Sequence, residues 1–343
     1  MRLSLVVATT VVTGMAVAGP AAAAPAAGNS SSVASQAIEA ASAGDAVAYW
    51  TPDRMRSATP YDALRATPAG SVRTAPAPSA GPAAAPFTVP PTAGSVSAGP
   101  TATAAGATSR PYTDLPDRLN VKIFFTGARG GNYVCSGTIV NSVSKRMVST
   151  AGHCVSDGAG RYHRNVVVVP AYSSRSAGSG DAPYGKWPAR LLTTRTEWHK
   201  SSAWEQDVAF IVTSDVGGQR IAKQLGGHGV KFNISRSQQF RSYGYPQTAP
   251  FTGFNQHVCA SGRMADDDPT SRSGPLTIRI SCGMTNGASG GGWIIGQTAG
   301  LGFVNGVNSY KYVAGPLTNA GHMYGPYFGP QAKSLYEFAA RQG

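Results

Sequence analysis

The sequence predicts an all-β fold from about residue 111 onward, and two observations predict it. Short apolar runs of four to nine residues, rich in Val, Ile, Thr and aromatics, recur at 121–125, 133–140, 146–149, 166–170, 190–194, 208–213, 239–245, 257–263, 276–282, 292–295 and 301–309. Gly, Pro, Asn and Ser separate them, the 42 Gly of the 343 residues supplying sharp turns, and no strand–helix alternation interrupts the pattern. One helix is expected at about 330–341, where Leu335, Phe338 and Ala339 share a face. No internal repeat is visible.

The preceding residues read differently. Arg2, an apolar run over 3–18 and an Ala-rich stretch have the form of a signal peptide cleaved near Ala24, so residues 1–24 are expected to be an export signal. The run is short for a membrane span of roughly 20 apolar residues, and no later run is long enough, so no stable membrane insertion is expected. Residues 25–110 are rich in Ala, Pro, Ser, Gly and Thr, and 66–106 nearly lack bulky apolar side chains. Such a stretch buries too little surface to offset its chain entropy and reads as a flexible linker or pro-region. One island stands out within it, Tyr49-Trp50-Thr51-Pro52-Asp53-Arg54-Met55-Arg56. Thr51 can cap a short helix with Pro52 at its first position, behind an aromatic pair. The island is either a docking element or a local turn. The third segment, 111–343, is the expected folded domain.

The formal net charge is +13, with the basic residues scattered and no nucleic-acid motif, so the charge is read as a general surface property without a nucleic-acid partner. The four cysteines, Cys135, Cys154, Cys259 and Cys282, point to two disulfides in an exported chain and allow three pairings. No ligand cluster has metal-coordination spacing, so neither metal nor cofactor is expected.

Two segments carry chemistry: Ser149-Thr150-Ala151-Gly152-His153-Cys154 and Asn286-Gly287-Ala288-Ser289-Gly290-Gly291-Gly292-Trp293. A serine hydroxyl is a poor nucleophile near neutral pH and needs a base beside it and an acceptor to orient that base. The glycines permit backbone angles that aim successive amides at a developing oxyanion, here those of Gly287 and Ser289. Gly-x-Ser-x-Gly also fits the nucleophile elbow of lipases and esterases, but that fold needs an acid and then a His after the Ser. After Ser289 the acid is Glu337, and His322 precedes it, so the order is wrong. His153, Asp207 and Ser289 supply the order His, Asp, Ser. Asp207 opens the apolar run Asp207-Val208-Ala209-Phe210, where a carboxylate is shielded. Asp181 and Asp215 sit in turn-like contexts, and Asp266, Asp267 and Asp268 form an acidic loop. His163, His199, His228, His257 and His322 lack comparable surroundings and read as structural or solvent-facing.

At these residues the sequence resembles the chymotrypsin-like serine peptidases, and within them the secreted bacterial V8-like, glutamyl-endopeptidase-related branch. The matching pieces are Cys135-Ser136-Gly137-Thr138-Ile139-Val140, the His153 and Asp207 segments, Tyr243-Gly244-Tyr245-Pro246 and the run from Cys282 to Gly291. The resemblance implies two six-stranded antiparallel β-barrels with the site between them and a C-terminal helix packed back. It implies disulfides Cys135–Cys154 and Cys259–Cys282, and a hydroxyl contact from Ser309 to Asp207 on a strand that also carries the substrate backbone. It places Gly283, Met284, Thr285, Asn308 and Tyr310 around the substrate pocket. No Asp or Glu stands at the pocket base, and Asn308 occupies the position where glutamyl-specific relatives have His, so neither Arg/Lys nor Glu preference is implied. The chain departs from the family at Ala288, where an acid would pair with a new N-terminal amine, at Gly292, where Pro is usual, and at Asn286. The expected function is a secreted, monomeric serine endopeptidase acting on peptide substrates through an acyl-enzyme; the alternative is a catalytically weak secreted binding module on the same fold.

Overall fold

The computed structural model describes residue 1 and residues 32–61, 64–65, 84–96, 114–173, 182–269, 275–312 and 321–342. The export signal and the stretch 66–83 lie outside the described residues. Among the described residues, no helix is long and apolar enough to cross a membrane.

The first half is a closed barrel. Its strands run Trp187–Arg195, Ala209–Thr213, Met147–Thr150, Asn132–Val140, Asn120–Thr126 and Arg164–Pro170 around the ring, and the last pairs with the first to close it. All six are antiparallel to their neighbours. Ile123, Ile139, Val148, Val168, Leu192 and Ile211 point into one apolar core. Every residue of Asn120–Thr126 is buried, so period-two alternation is absent from the strand.

The reason is a second cover, which comes from the supposed linker. Val33–Ala37 pairs antiparallel with Trp187–Arg195. Helices Ala40–Tyr49 and Pro52–Ser57 then lay Ala46, Trp50 and Met55 against Phe124, Val134, Val167 and Val169, the outward-facing members of the barrel strands. Trp50 is fully buried and its Nε1–H donates to Asn165 O at 2.6 Å. Thr51 Oγ1 caps the second helix by accepting from Arg54 N at 3.3 Å. The Tyr49–Arg56 island is thus a docked element. Composition alone assigns all of 25–110 to a flexible stretch; residues 33–61 instead fold onto the barrel because barrel strands with two apolar faces need a lid. Phe87–Val89 likewise pairs with Gly229–Phe232.

The second half is an eight-stranded sheet in the order His322–Gly325, Thr277–Ser281, His257–Asp267, Gln239–Gly244, Gly292–Thr298, Leu301–Val307, Gly229–Phe232, Phe87–Val89. It curls so that a bridge between Tyr310 and Tyr324 links the end of one long strand to the sheet's first member. Trp293 is fully buried at its centre, against Phe240. The helix Pro330–Ala340 packs back onto the barrel side, with Ala332, Leu335, Tyr336 and Ala339 buried. Phe338 is only half-buried; Tyr336 takes the core place, stacking edge-on to Phe210. Cys135–Cys154 and Cys259–Cys282 are the disulfides formed, and no free cysteine remains among the described residues.

Candidate active site

Strand register brings the first two groups together. Thr150 pairs with Ala209, so the turn Gly152–Cys154 after one strand lies beside Asp207 before the other. His153 uses the carboxylate twice: its backbone N–H donates to Oδ1 at 2.8 Å, and Nδ1 lies 2.8 Å from Oδ2. Ser309 Oγ donates to Oδ2 at 2.5 Å. Asp207 is fully buried, and these donors replace the water that its carboxylate gives up. With Oδ2 as acceptor, Nδ1 carries the proton and Nε2 keeps its lone pair. Nε2 is buried and has no hydrogen-bond partner among the described residues.

Three rings enclose the imidazole: Trp198 and Trp204, at centroid distances of 6.1 and 6.3 Å, and Tyr61 at 6.2 Å, nearly parallel to it. His163 braces the turn from behind, its Nε2 lying 3.0 Å from His153 O while Nδ1 accepts from Ala128 N. Burial pushes the His163 imidazole down to about 4, so it stays neutral as a structural donor.

Ser289 is held through its backbone. Its carbonyl accepts from Ser136 N at 2.7 Å, and Cys154 Sγ of the disulfide lies 3.6 Å from the same oxygen. Ser136 Oγ donates to Gly287 O and accepts from Tyr245 N, both at 2.8 Å. On the other side Asn308 O accepts from Gly290 N at 2.7 Å, and Asn308 N donates to Gly291 O. Gly287 has φ +97° and Gly290 φ +83°, and a Cβ at Gly290 would collide with Ser136 O and Thr150 Oγ1. Only glycine fits there. The amides of Gly287 and Ser289 donate to no other group among the described residues, and neither does the Ser289 hydroxyl have a partner. Gly292 N donates to Thr138 Oγ1 at 3.1 Å, a bond that a proline at that position could not make, so the departure there adds a tether to the loop.

The first-barrel imidazole and carboxylate thus meet the second half where Ser309 reaches Asp207 and where Cys154 Sγ lies against Ser289 O. No family model matches this chain, and no curated protein matches it. Solved structures do. The protease Anisep from Arthrobacter nicotinovorans is 41% identical, with 67% of this chain and 98% of that one covered and a TM-score of 0.59. The thermostable serine protease AL20 from an extremophilic microorganism is 37% identical, with 66% and 99% covered and a TM-score of 0.58.

The chain belongs to the chymotrypsin-like serine proteases.

A Glu endopeptidase, at 16% identity and a TM-score of 0.51 over 69% of this chain and 96% of that one, shares the fold. The protease is accordingly a serine endopeptidase.

A small cavity of about 10 Å³ adjoins Ser289 in this protease, lined by Thr285, Asn286, Ser309, Tyr310, Lys311 and Met323. Of the residues expected around the substrate pocket, Thr285 and Tyr310 line this cavity. Gly283, Met284 and Asn308 do not line it. Met284 is buried in the second core, and Asn308 is fully buried under the Ser289 loop. Its Oδ1 accepts from Ser242 Oγ and Trp293 Nε1, and its Nδ2 donates to Tyr243 O and Ala288 O. An amide with four partners is a brace, so Asn308 positions the loop rather than meeting substrate. Lys311 was not foreseen; its Nζ donates to Cys282 O at 3.0 Å, and burial lowers its pKa to about 8. Among the rival carboxylates, Asp215 takes two bonds from Arg146, and Asp267 accepts from Tyr310 and Tyr312 hydroxyls. Asp181 lies outside the described residues. The one grouping of potential metal donors among the described residues, Cys135, His153 and Cys154, offers no thiolate, since both sulfurs form the disulfide.

Proposed function

We propose that this protease is exported and hydrolyses peptide bonds with Ser289 as nucleophile, His153 as base and acid, and Asp207 as the group that fixes the imidazole. The observation that carries the reading is the His153–Asp207 pair, bonded twice at 2.8 Å with Nε2 left unpartnered. Ser289 Oγ attacks the carbonyl carbon while its proton passes to Nε2. The buried carboxylate stabilises the imidazolium so formed. The amides of Gly287 and Ser289 donate to the tetrahedral oxygen, each contributing on the order of 3 kcal/mol of transition-state stabilisation. Nε2–H then protonates the leaving amine, an ester to Ser289 remains, and water attacks it by the same route in reverse. Ser309 acts on Asp207 and so positions the pair.

Two disulfides and the apolar run after Arg2 support export to an oxidising compartment. The experiment is Ser289→Ala in the purified chain. Hydrolysis of a protein substrate should fall by roughly 10³-fold or more; undiminished hydrolysis refutes the assignment.

A further inference from the structure

The outer face of the first barrel holds a buried lysine that the hydrolytic steps do not use. Lys122 lies in the strand Asn120–Thr126, and the rings of Phe124 and Tyr172 flank its ammonium at 5.4 and 4.9 Å. Two neutral acceptors meet the charge, Gln247 Oε1 at 3.1 Å and Gly253 O at 2.8 Å. Burial lowers its pKa to about 7, so the place is a costly one for a lysine. Both acceptors stand at the base of one loop, which Gly253 N closes by donating to Pro246 O, and no residue of 245–256 is acidic or basic.

The other side of that loop supports the turn before Ser289. Gln247 N donates to Asn286 O at 2.7 Å, and Thr285 Oγ1 donates to Thr248 O at 2.7 Å. A Cβ on Gly287 would lie 3.2 Å from both N and Cβ of Gln247, so the two segments touch. The Asn286 carbonyl and the Gly287 N–H belong to one planar peptide unit, whose O and H point opposite ways. By holding the oxygen, Gln247 therefore aims the Gly287 N–H. Gly287 and Ala288 have no polar side chain with which to hold themselves. Strand register supplies the other hold: Lys122 pairs with Ser136, whose hydroxyl donates to Gly287 O. One rung of the barrel thus reaches Gly287 twice, directly from Ser136 and from Lys122 by way of Gln247.

We propose that Lys122 is a positioning residue for the oxyanion site: its ammonium fixes Gln247, whose backbone orients the Asn286–Gly287 peptide. The proposal rests on the reading that the Gly287 amide stabilises the tetrahedral oxygen. A looser Gln247 leaves that N–H misaligned in the transition state while the peptide substrate still binds, so kcat carries the loss and KM does not.

The experiment measures kcat and KM with labelled casein for the full chain, Lys122→Met, Gln247→Ala and the double variant, each counted per molecule that takes fluorophosphonate at the end point. Methionine keeps an apolar stem between the two rings and removes the donors. Lys122→Met should lower kcat about tenfold at unchanged KM, a part of the roughly 10²-fold or more that losing an oxyanion donor outright costs. Gln247→Ala, which also loses the bond to Ala58 O, should lower kcat at least as far and tests the same path should the methionine variant fail to fold. The double variant should be no slower than the slower single one, because both changes cut one path. Parental kcat in either single variant, a loss expressed in KM, or losses that multiply in the double variant overturn this inference, and an inert Ser289→Ala then leaves the triad intact. Full casein hydrolysis by Ser289→Ala instead removes the reading on which the inference rests.

Discussion

The two halves hold the proposed reacting groups in opposite ways. The first barrel fixes His153 and Asp207 by their side chains: both carboxylate oxygens are taken, and the imidazole is boxed by Trp198, Trp204 and Tyr61. Ser289, on the second half, is held by its backbone alone, from the first barrel by Ser136 and from its own side by the neighbouring Asn308, and its hydroxyl has no partner among the described residues. The difference follows from the chemistry. A base must have one tautomer and one orientation, so it is locked; a nucleophile must move toward carbon, so only its main chain is locked.

That contrast can be broken from either side. The largest effect after loss of the hydroxyl should come from Asp207→Asn, which keeps the shape but no longer enforces a proton on Nδ1; kcat should drop by about 10⁴-fold with little change in melting temperature. A drop of less than tenfold would mean that the carboxylate is structural. Ser309→Ala removes one donor to the carboxylate. A hydrogen bond to a charged group contributes about 1.5 kcal/mol, so kcat should fall roughly tenfold at unchanged KM. A change confined to KM would place Ser309 in substrate binding instead. The smallest effect concerns stability. Burial holds His163 and His228 near 4, below their unfolded value. The unfolded chain then binds more protons between about pH 6.5 and 4, so stability is complete above that window and is lost as pH falls through it. Thermal melts across pH 4–7 should show this slope, and His228→Gln should flatten it.

The same contrast separates what the sequence reveals from what it hides. The barrel strands were legible because runs such as Val166–Val169 are apolar at every position, and the His153–Asp207 contact because each residue sits in a distinctive local context. The strand Gly229–Phe232 was not, because Lys231 interrupts so short a run. Val33–Ala37 has no apolar periodicity of its own and owes its strand to the free edge of Trp187–Arg195. The braces of the Ser289 loop were hidden for a different reason. Ser136 meets Gly287 across 151 residues, and no local pattern encodes such a contact. Asn308 was placed at the pocket by the resemblance, at the position where glutamyl-specific relatives have His, yet its side chain and that of Ser309 turn apart, one to Trp293 and one to Asp207. The docked island at Trp50 was half-visible: its cap could be read, its seat on Phe124 could not.

The central claim is that an unbonded hydroxyl at 289 becomes the nucleophile when His153 accepts its proton. Mass-spectrometric mapping of the chain after fluorophosphonate treatment addresses it directly. One adduct on the peptide containing Ser289, absent from His153→Ala under the same conditions, is the predicted result. An adduct on a different residue, or equal labelling without the imidazole, would contradict the account.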